Sequence, residues 1–174
     1  MHGIARAAIC AVAVAASAPA ATADAQQTAP PQLAVDTRVP ATPEQVLRLE
    51  ARARELQVRR SGFAGAARLY ARAARLRSEL DPEAWRQLNL ASRLYWYAGN
   101  SAAAAELAWE SAGRAAATGH IFAAADGYLD VVIIEAERGR MVEARDALRR
   151  AELLMNSPHL DDAERQHLER RLGR

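Results

Sequence analysis

The chain has no lysine, one cysteine and nine aromatic residues (two Phe, three Trp and four Tyr) in 174 positions. A lone cysteine, Cys10, excludes an intramolecular disulfide, so the fold has to rest on packing. The scarcity of aromatics matters because the chain is nonetheless 51% hydrophobic. Much of that fraction is alanine, which favours helices and lets them approach closely while burying little area per residue. Proline is absent between Pro43 and Pro82 and again between Pro82 and Pro158, leaving room for long uninterrupted helices. No apolar run reaches the ~20 strongly apolar residues that a membrane-spanning helix requires.

Charge of one sign is also missing. All 23 basic residues are arginine, set against 21 acids for a net charge of +2, a usage that reads as the coding bias of a GC-rich genome. The arginines alternate with acids in ARARELQVRR and EARDALRRAE, which describes solvated helix faces. A nucleic-acid partner would need a one-sided basic excess and is not expected. The chain lacks G-x-S-x-G, a P-loop, G-x-G-x-x-G after a strand, and H-E-x-x-H. Beyond the leader, its histidines are His120, His159 and His167, and no two are spaced as a helical metal pair. Neither a metal nor a cofactor is expected, and no catalytic residue can be named.

The first 25 residues differ from the rest. A short positive start through Arg6, an apolar stretch from Ala7 to Ala16, and Ala23-Asp24-Ala25 in the A-x-A form of a signal-peptidase site read as a secretory signal peptide. Cys10 follows Ile9, whereas lipoprotein processing wants a small residue there. Cleavage after Ala25 would leave 174 − 25 = 149 residues, exported to the periplasm or cell envelope. Residues 26–41, with three prolines and no periodicity, read as a flexible lead segment.

Structure is predicted from Thr42 onward, where Thr42-Pro43-Glu44-Gln45 supplies a capping hydroxyl, a proline at the first helical position and a capping-box glutamine. Val46, Leu49, Ala53 and Leu56 then share one helical face. Breaks at Ser61-Gly62, Asp81-Pro82, Gly99-Asn100, Thr118-Gly119, Gly139 and Asn156-Ser157-Pro158 divide the chain into about seven helices with no strand. The β-branched run Val131-Val132-Ile133-Ile134 belongs to a buried helix on its flanking spacing. Asp161 with Glu164 forms a capping box for a polar last helix carrying only Ala163, Leu168 and Leu172 as an apolar stripe, suited to closing the end of a stack.

The intervals repeat. Aligned on Gly62, Gly99 and Gly139, the chain shows Ala67, Ala104 and Ala144, then Ala71, Ala108 and Leu148, then Ala74, Ser111 and Ala151. A period of about 40 residues built from helix, tight turn and helix is that of stacked helical hairpins, each too small to bury its own apolar faces. Leu88, Ala91, Ser92, Tyr95, Gly99, Ala104, Ala108 and Ser111 in the middle unit, with Tyr128, Val131, Val132, Gly139, Ala144, Leu148 and Ala151 in the last, resemble the tetratricopeptide repeat family. The departures are a period above the family's 34 residues and Glu135 where an aromatic is usual. The resemblance implies an all-α solenoid of about three antiparallel hairpins plus a C-terminal capping helix, over residues 42–174.

Within the third predicted helix, YWYAGN places three rings in succession, and three consecutive helical residues cannot share a face. Tyr95 falls with Leu88 on the core stripe. Arg86, Asn89 and Arg93 share a polar sector with Trp96 and Tyr97 on its borders. The resemblance implies that Arg86, Asn89, Arg93 and Trp96 face a concave groove holding a peptide, with arginine for a carboxylate and Trp96 as anchor. The other reading packs both border rings on neighbouring hairpins, with the arginines meeting Asp126 and Asp130 of the fifth helix.

The expected function is that of a non-catalytic exported scaffold holding a protein or peptide partner, with self-association as a secondary expectation. The contrasting expectation is a small helical-bundle enzyme or ligand carrier, whose pocket between the third and fifth helices is lined by Tyr95, Tyr128 and the acids of the fifth.

Overall fold

Thr42 begins the first helix as its sequence requires. Its hydroxyl accepts from the Gln45 amide while the Gln45 side chain accepts from the Thr42 amide, and Pro43 occupies the first turn, where no amide is missed. The computed structural model describes residues 42–77 and 81–173. The expected signal peptide and the whole of the lead segment, residues 1–41, lie outside the described residues.

Seven α-helices follow one another: α1 (Pro43–Gln57), α2 (Phe63–Leu76), α3 (Pro82–Tyr97), α4 (Ser101–Ala117), α5 (Ile121–Glu137), α6 (Met141–Met155) and α7 (Asp162–Arg171), with a 3-10 turn, Arg60–Gly62, before α2. The described residues contain no strand, and the Val131–Ile134 run is indeed helical, inside α5. Each helix from α1 to α5 packs on the one that follows it, and α7 folds back onto α5. No helix among the described residues is long and apolar enough to cross a membrane.

Three of the connections share one turn. After α3, α4 and α5 the chain reverses through Gly99, Gly119 and Gly139, whose φ angles are 81°, 78° and 73°, values glycine reaches without steric cost. In each case the following amide donates back across the turn to the last helical carbonyls: Asn100 to Tyr95 at 2.9 Å, His120 to Ala115 at 2.9 Å, and Arg140 to Glu135 at 2.8 Å. This is the glycine-terminated helix stop that satisfies the orphan carbonyls. Helices α4 and α5 are each 17 residues long, so a helix plus a three-residue turn sets the glycines 20 apart, at 99, 119 and 139.

Gly62 departs from that pattern although it aligns with Gly99 and Gly139 in sequence. Its φ is −90°, open to any residue. What demands glycine is space, since a Cβ there would lie 2.0 Å from the Leu56 carbonyl oxygen. The first hairpin is therefore a close crossing of backbone on backbone, and the repeat register inferred from glycine alone ends at Gly99.

The core is built from small residues. Ala53, Ala66, Ala67, Ala74, Leu88 and Ala91 are buried where α1, α2 and α3 meet, and Ala104, Ala105, Ala108, Val131, Ile134 and Ala147 join α4, α5 and α6. Gly127 extends this close approach, a Cβ there falling 3.1 Å from that of Ala112. Two buried serines knit α3 to α4 by donating to backbone carbonyls, Ser92 to Ala104 and Ser111 to Trp85, both at 2.8 Å.

Two carboxylates are buried in this core, Glu50 on α1 and Glu135 on α5, the latter accepting from Arg138 at 2.8 Å. Glu50 is 6% exposed on α1, on the same face as Val46 and Ala53, and it accepts from Arg77 at 2.5 Å and from Gln87 of α3 at 2.7 Å. Arg77 also donates to Asp81, the N-cap of α3, at 2.8 Å. Burial alone would push the Glu50 carboxyl up, but the Arg77 and Gln87 hydrogen bonds and the Arg77 charge outweigh it and hold the pKa below its ordinary value. The pairing fixes how α1, the end of α2 and the start of α3 sit against one another.

Candidate functional site

Asn89, Arg93, Trp96 and Tyr97 stand on α3 at i, i+4, i+7 and i+8, which places them along one side of the helix. Asp126, Asp130, Ile133 and Ile134 repeat the same spacing on α5. Together with His167 and Arg171 of α7 these two rows line one concavity of about 270 Å³. Six of the seven residues expected from sequence to form a groove therefore share a single cavity. The seventh, Arg86, does not line it. It pairs with Glu83 at 2.5 Å and lies over the Trp85 ring, 5.2 Å from the centroid.

The acids of α5 are engaged from an unexpected direction. Sequence reasoning offered α3 arginines as their partners, but Arg171 of α7 takes both, donating to Asp126 at 2.5 Å and to Asp130 at 2.7 Å. A second donor contact reaches the Asp126 backbone carbonyl at 3.1 Å, and His167 lies 3.5 Å from the same carboxylate. Burial works against the Arg171 charge, yet the hydrogen bonds and charges of the two acids prevail and raise its pKa. Helix α7 thus supplies two residues of the cavity wall as well as covering the core with Leu168. The usable signal in the sequence was the i, i+4 spacing of His167 and Arg171 on a face separate from Leu168.

With both acids taken, Arg93 is left exposed and has no ion-pair partner among the described residues. Beside it, Trp96 is half-buried: one side packs on the alanine and valine cluster of α4 and α5, and its indole N–H donates to Glu137 at 2.9 Å. Tyr97 is 50% exposed, stacks on Trp96 with ring centroids 5.8 Å apart, and touches Phe63 of α2 across 6.4 Å. Each ring packs on a neighbour and also lines the cavity.

Trp96 and Tyr97 also wall a second, broader depression of about 800 Å³ on the α2 side, where Arg60 and Ser61 form the far edge. Arg60 is exposed and, like Arg93, has no ion-pair partner among the described residues. The stacked rings form a ridge between two concavities, each holding one guanidinium without an ion-pair partner among the described residues.

Neither Tyr95 nor Tyr128 lines the cavity between α3 and α5. Tyr95 packs into the core beside α4, and Tyr128 is 6% exposed, edge-on to Trp109 at 5.5 Å. A further depression of about 500 Å³ between α4, α5 and α6 holds Arg138, Arg140 and Arg149, but all three are committed, to Glu135, Glu143 and Asp146. His120 is turned to Thr118 and the Trp85 ring. No group of three or more metal-ligating side chains converges among the described residues.

Compared with protein-family models, with curated proteins and with solved structures, the chain matches none of them.

Proposed function

We propose that the chain is a tetratricopeptide-like α-solenoid that serves as a non-catalytic scaffold, holding a protein or peptide partner on the surface formed by α3, α5 and α7. The observation that carries this reading is Arg93, exposed and without an ion-pair partner among the described residues, beside the Trp96–Tyr97 pair in a cavity whose two acids are both bound by Arg171. A free guanidinium next to partly exposed rings is the combination that anchors polypeptide partners. The stacking reading is supported by the order of α1 to α6, each packed on its sequence neighbour, and by the three equivalent glycine turns. The N-terminal signal pattern supports export to a bacterial cell envelope, where the partner would reside.

The test is affinity capture from envelope extract with the wild-type chain, Arg93→Glu and Trp96→Ala, alongside Arg145→Glu on the exposed surface of α6. The reading expects one protein retained by wild type and Arg145→Glu and lost by both site variants, each folded by circular dichroism. Equal capture by all four would remove the site from consideration.

A further inference from the structure

We infer that the partner segment held here is acidic, with carboxylates on both sides of an apolar or aromatic residue, spanning the Trp96–Tyr97 ridge from Arg93 to Arg60; this rests on the scaffold reading above. The distribution of engaged and free charge carries it. In the cavity beside α7, Asp126 and Asp130 are bound by Arg171, while Glu137, which accepts the neutral Trp96 indole N–H and keeps its charge, lies outside the lining of both concavities. The guanidiniums of Arg93 and Arg60 are exposed and have no acidic partner among the described residues, whereas Arg86 a little further along α3 is already paired. Each free guanidinium presents five donors in a fork that fits a carboxylate.

Direction follows from the same residues. Asp126 and Asp130 carry two negative charges against the single positive charge of Arg171, so the α7 end of the cavity repels a second carboxylate. An acidic chain anchored on Arg93 is steered away from α7, over the rings and toward Arg60. The ridge it crosses is apolar and aromatic: Tyr97 is half-exposed and stacked on Trp96. A hydrophobic or aromatic side chain of the partner covers that surface, and such central anchors supply most of the affinity in peptide complexes.

The test uses the full-length chain and a dye-labelled synthetic peptide, Glu-Glu-Leu-Phe-Glu-Glu, followed by fluorescence anisotropy at low and high ionic strength. Matched peptides carry glutamine or lysine in place of every glutamate. The acidic peptide is expected to bind at least about tenfold more tightly than the glutamine form at low salt, with the gap narrowing at high salt. Arg93→Gln and Arg60→Gln are each expected to weaken the acidic peptide about tenfold without changing the glutamine peptide. Both side chains are exposed and without an ion-pair partner among the described residues, and circular dichroism checks that the variants fold. Equal binding of acidic and glutamine peptides, or undiminished binding by either variant, overturns the inference. If the neutral peptide binds equally well and Trp96→Ala abolishes it, the inference falls while the scaffold reading stands. If none of the peptides binds, the inference falls, and the capture experiment decides the scaffold reading by itself.

Discussion

Arg171 of α7 and Asp130 of α5 stand 2.7 Å apart, Nη2 to Oδ1, and this contact joins the last helix of the chain to the candidate site. The same guanidinium holds Asp126 through its other terminal nitrogen. Replacing Arg171 by alanine leaves two partly buried carboxylates facing one another and frees the end of α7. The expected loss is about 1.5–3 kcal/mol, the range for hydrogen bonds to charged groups, measured by urea unfolding. Hydrogen exchange should quicken first in α7. A double-mutant cycle with Asp130→Asn should return a coupling above about 0.5 kcal/mol.

Glu50 sets the acid limit of the first three helices. Its folded pKa lies below its ordinary value of 4.5, as does that of Asp81, lowered chiefly by the hydrogen bond from Arg77. A carboxylate whose folded pKa is depressed contributes stability that is fully present above the unfolded pKa and is lost as pH falls through the folded one. Unfolding free energy is therefore expected to hold steady down to about pH 5 and to fall below it. Glu50→Gln should cost about 1–3 kcal/mol at neutral pH, because Arg77 loses one of its two carboxylate partners and keeps only Asp81, and should flatten the acid limb. An acid limb as steep in Glu50→Gln as in the wild type would contradict this.

Gly62 and Gly99 align in sequence and should respond differently to alanine. At Gly99 nothing lies within 4 Å of the added methyl and the cost is one residue held at a φ of +81°, about 1–2 kcal/mol. At Gly62 the methyl meets the Leu56 backbone, so α1 and α2 have to part. The loss should exceed that at Gly99 by at least about 1 kcal/mol in thermal or urea unfolding. Similar losses at the two positions would mean that the first hairpin is not a close crossing.

Much of this architecture could be read from local rules. The capping boxes at Thr42 and Asp161 formed with the partners their spacing named, and every predicted break falls at a helix end or between helices, because caps, prolines and turn glycines act over three or four residues. The row Asn89, Arg93, Trp96 and Tyr97 was visible for the same reason. Contacts across long separations were not. Glu50 sits at a core position of α1 by periodicity, but its charge hid that until Arg77 and Gln87 were brought beside it. Arg171 looked like a solvated residue of a capping helix, and only the return of α7 onto α5 reveals its hold on Asp126 and Asp130. Gly62 misled because glycine serves two needs, positive φ and close approach, which the sequence does not tell apart.

Export makes a separate prediction. If the N-terminal pattern is a signal peptide, the chain recovered from the envelope should begin at Gln26, and mass spectrometry of its N-terminus reads this directly. Recovery only in the cytoplasm with Met1 intact would contradict it.

The most direct test of the central claim is site-specific photo-crosslinking in the producing cell, with a photoreactive phenylalanine at Tyr97 on the ridge and, in a second variant, at Arg145 on α6. The account predicts a discrete protein adduct from position 97 that disappears when Arg93→Glu is added, and none from position 145. Adducts of the same size and yield from both positions, or an adduct at 97 indifferent to Arg93→Glu, would contradict it.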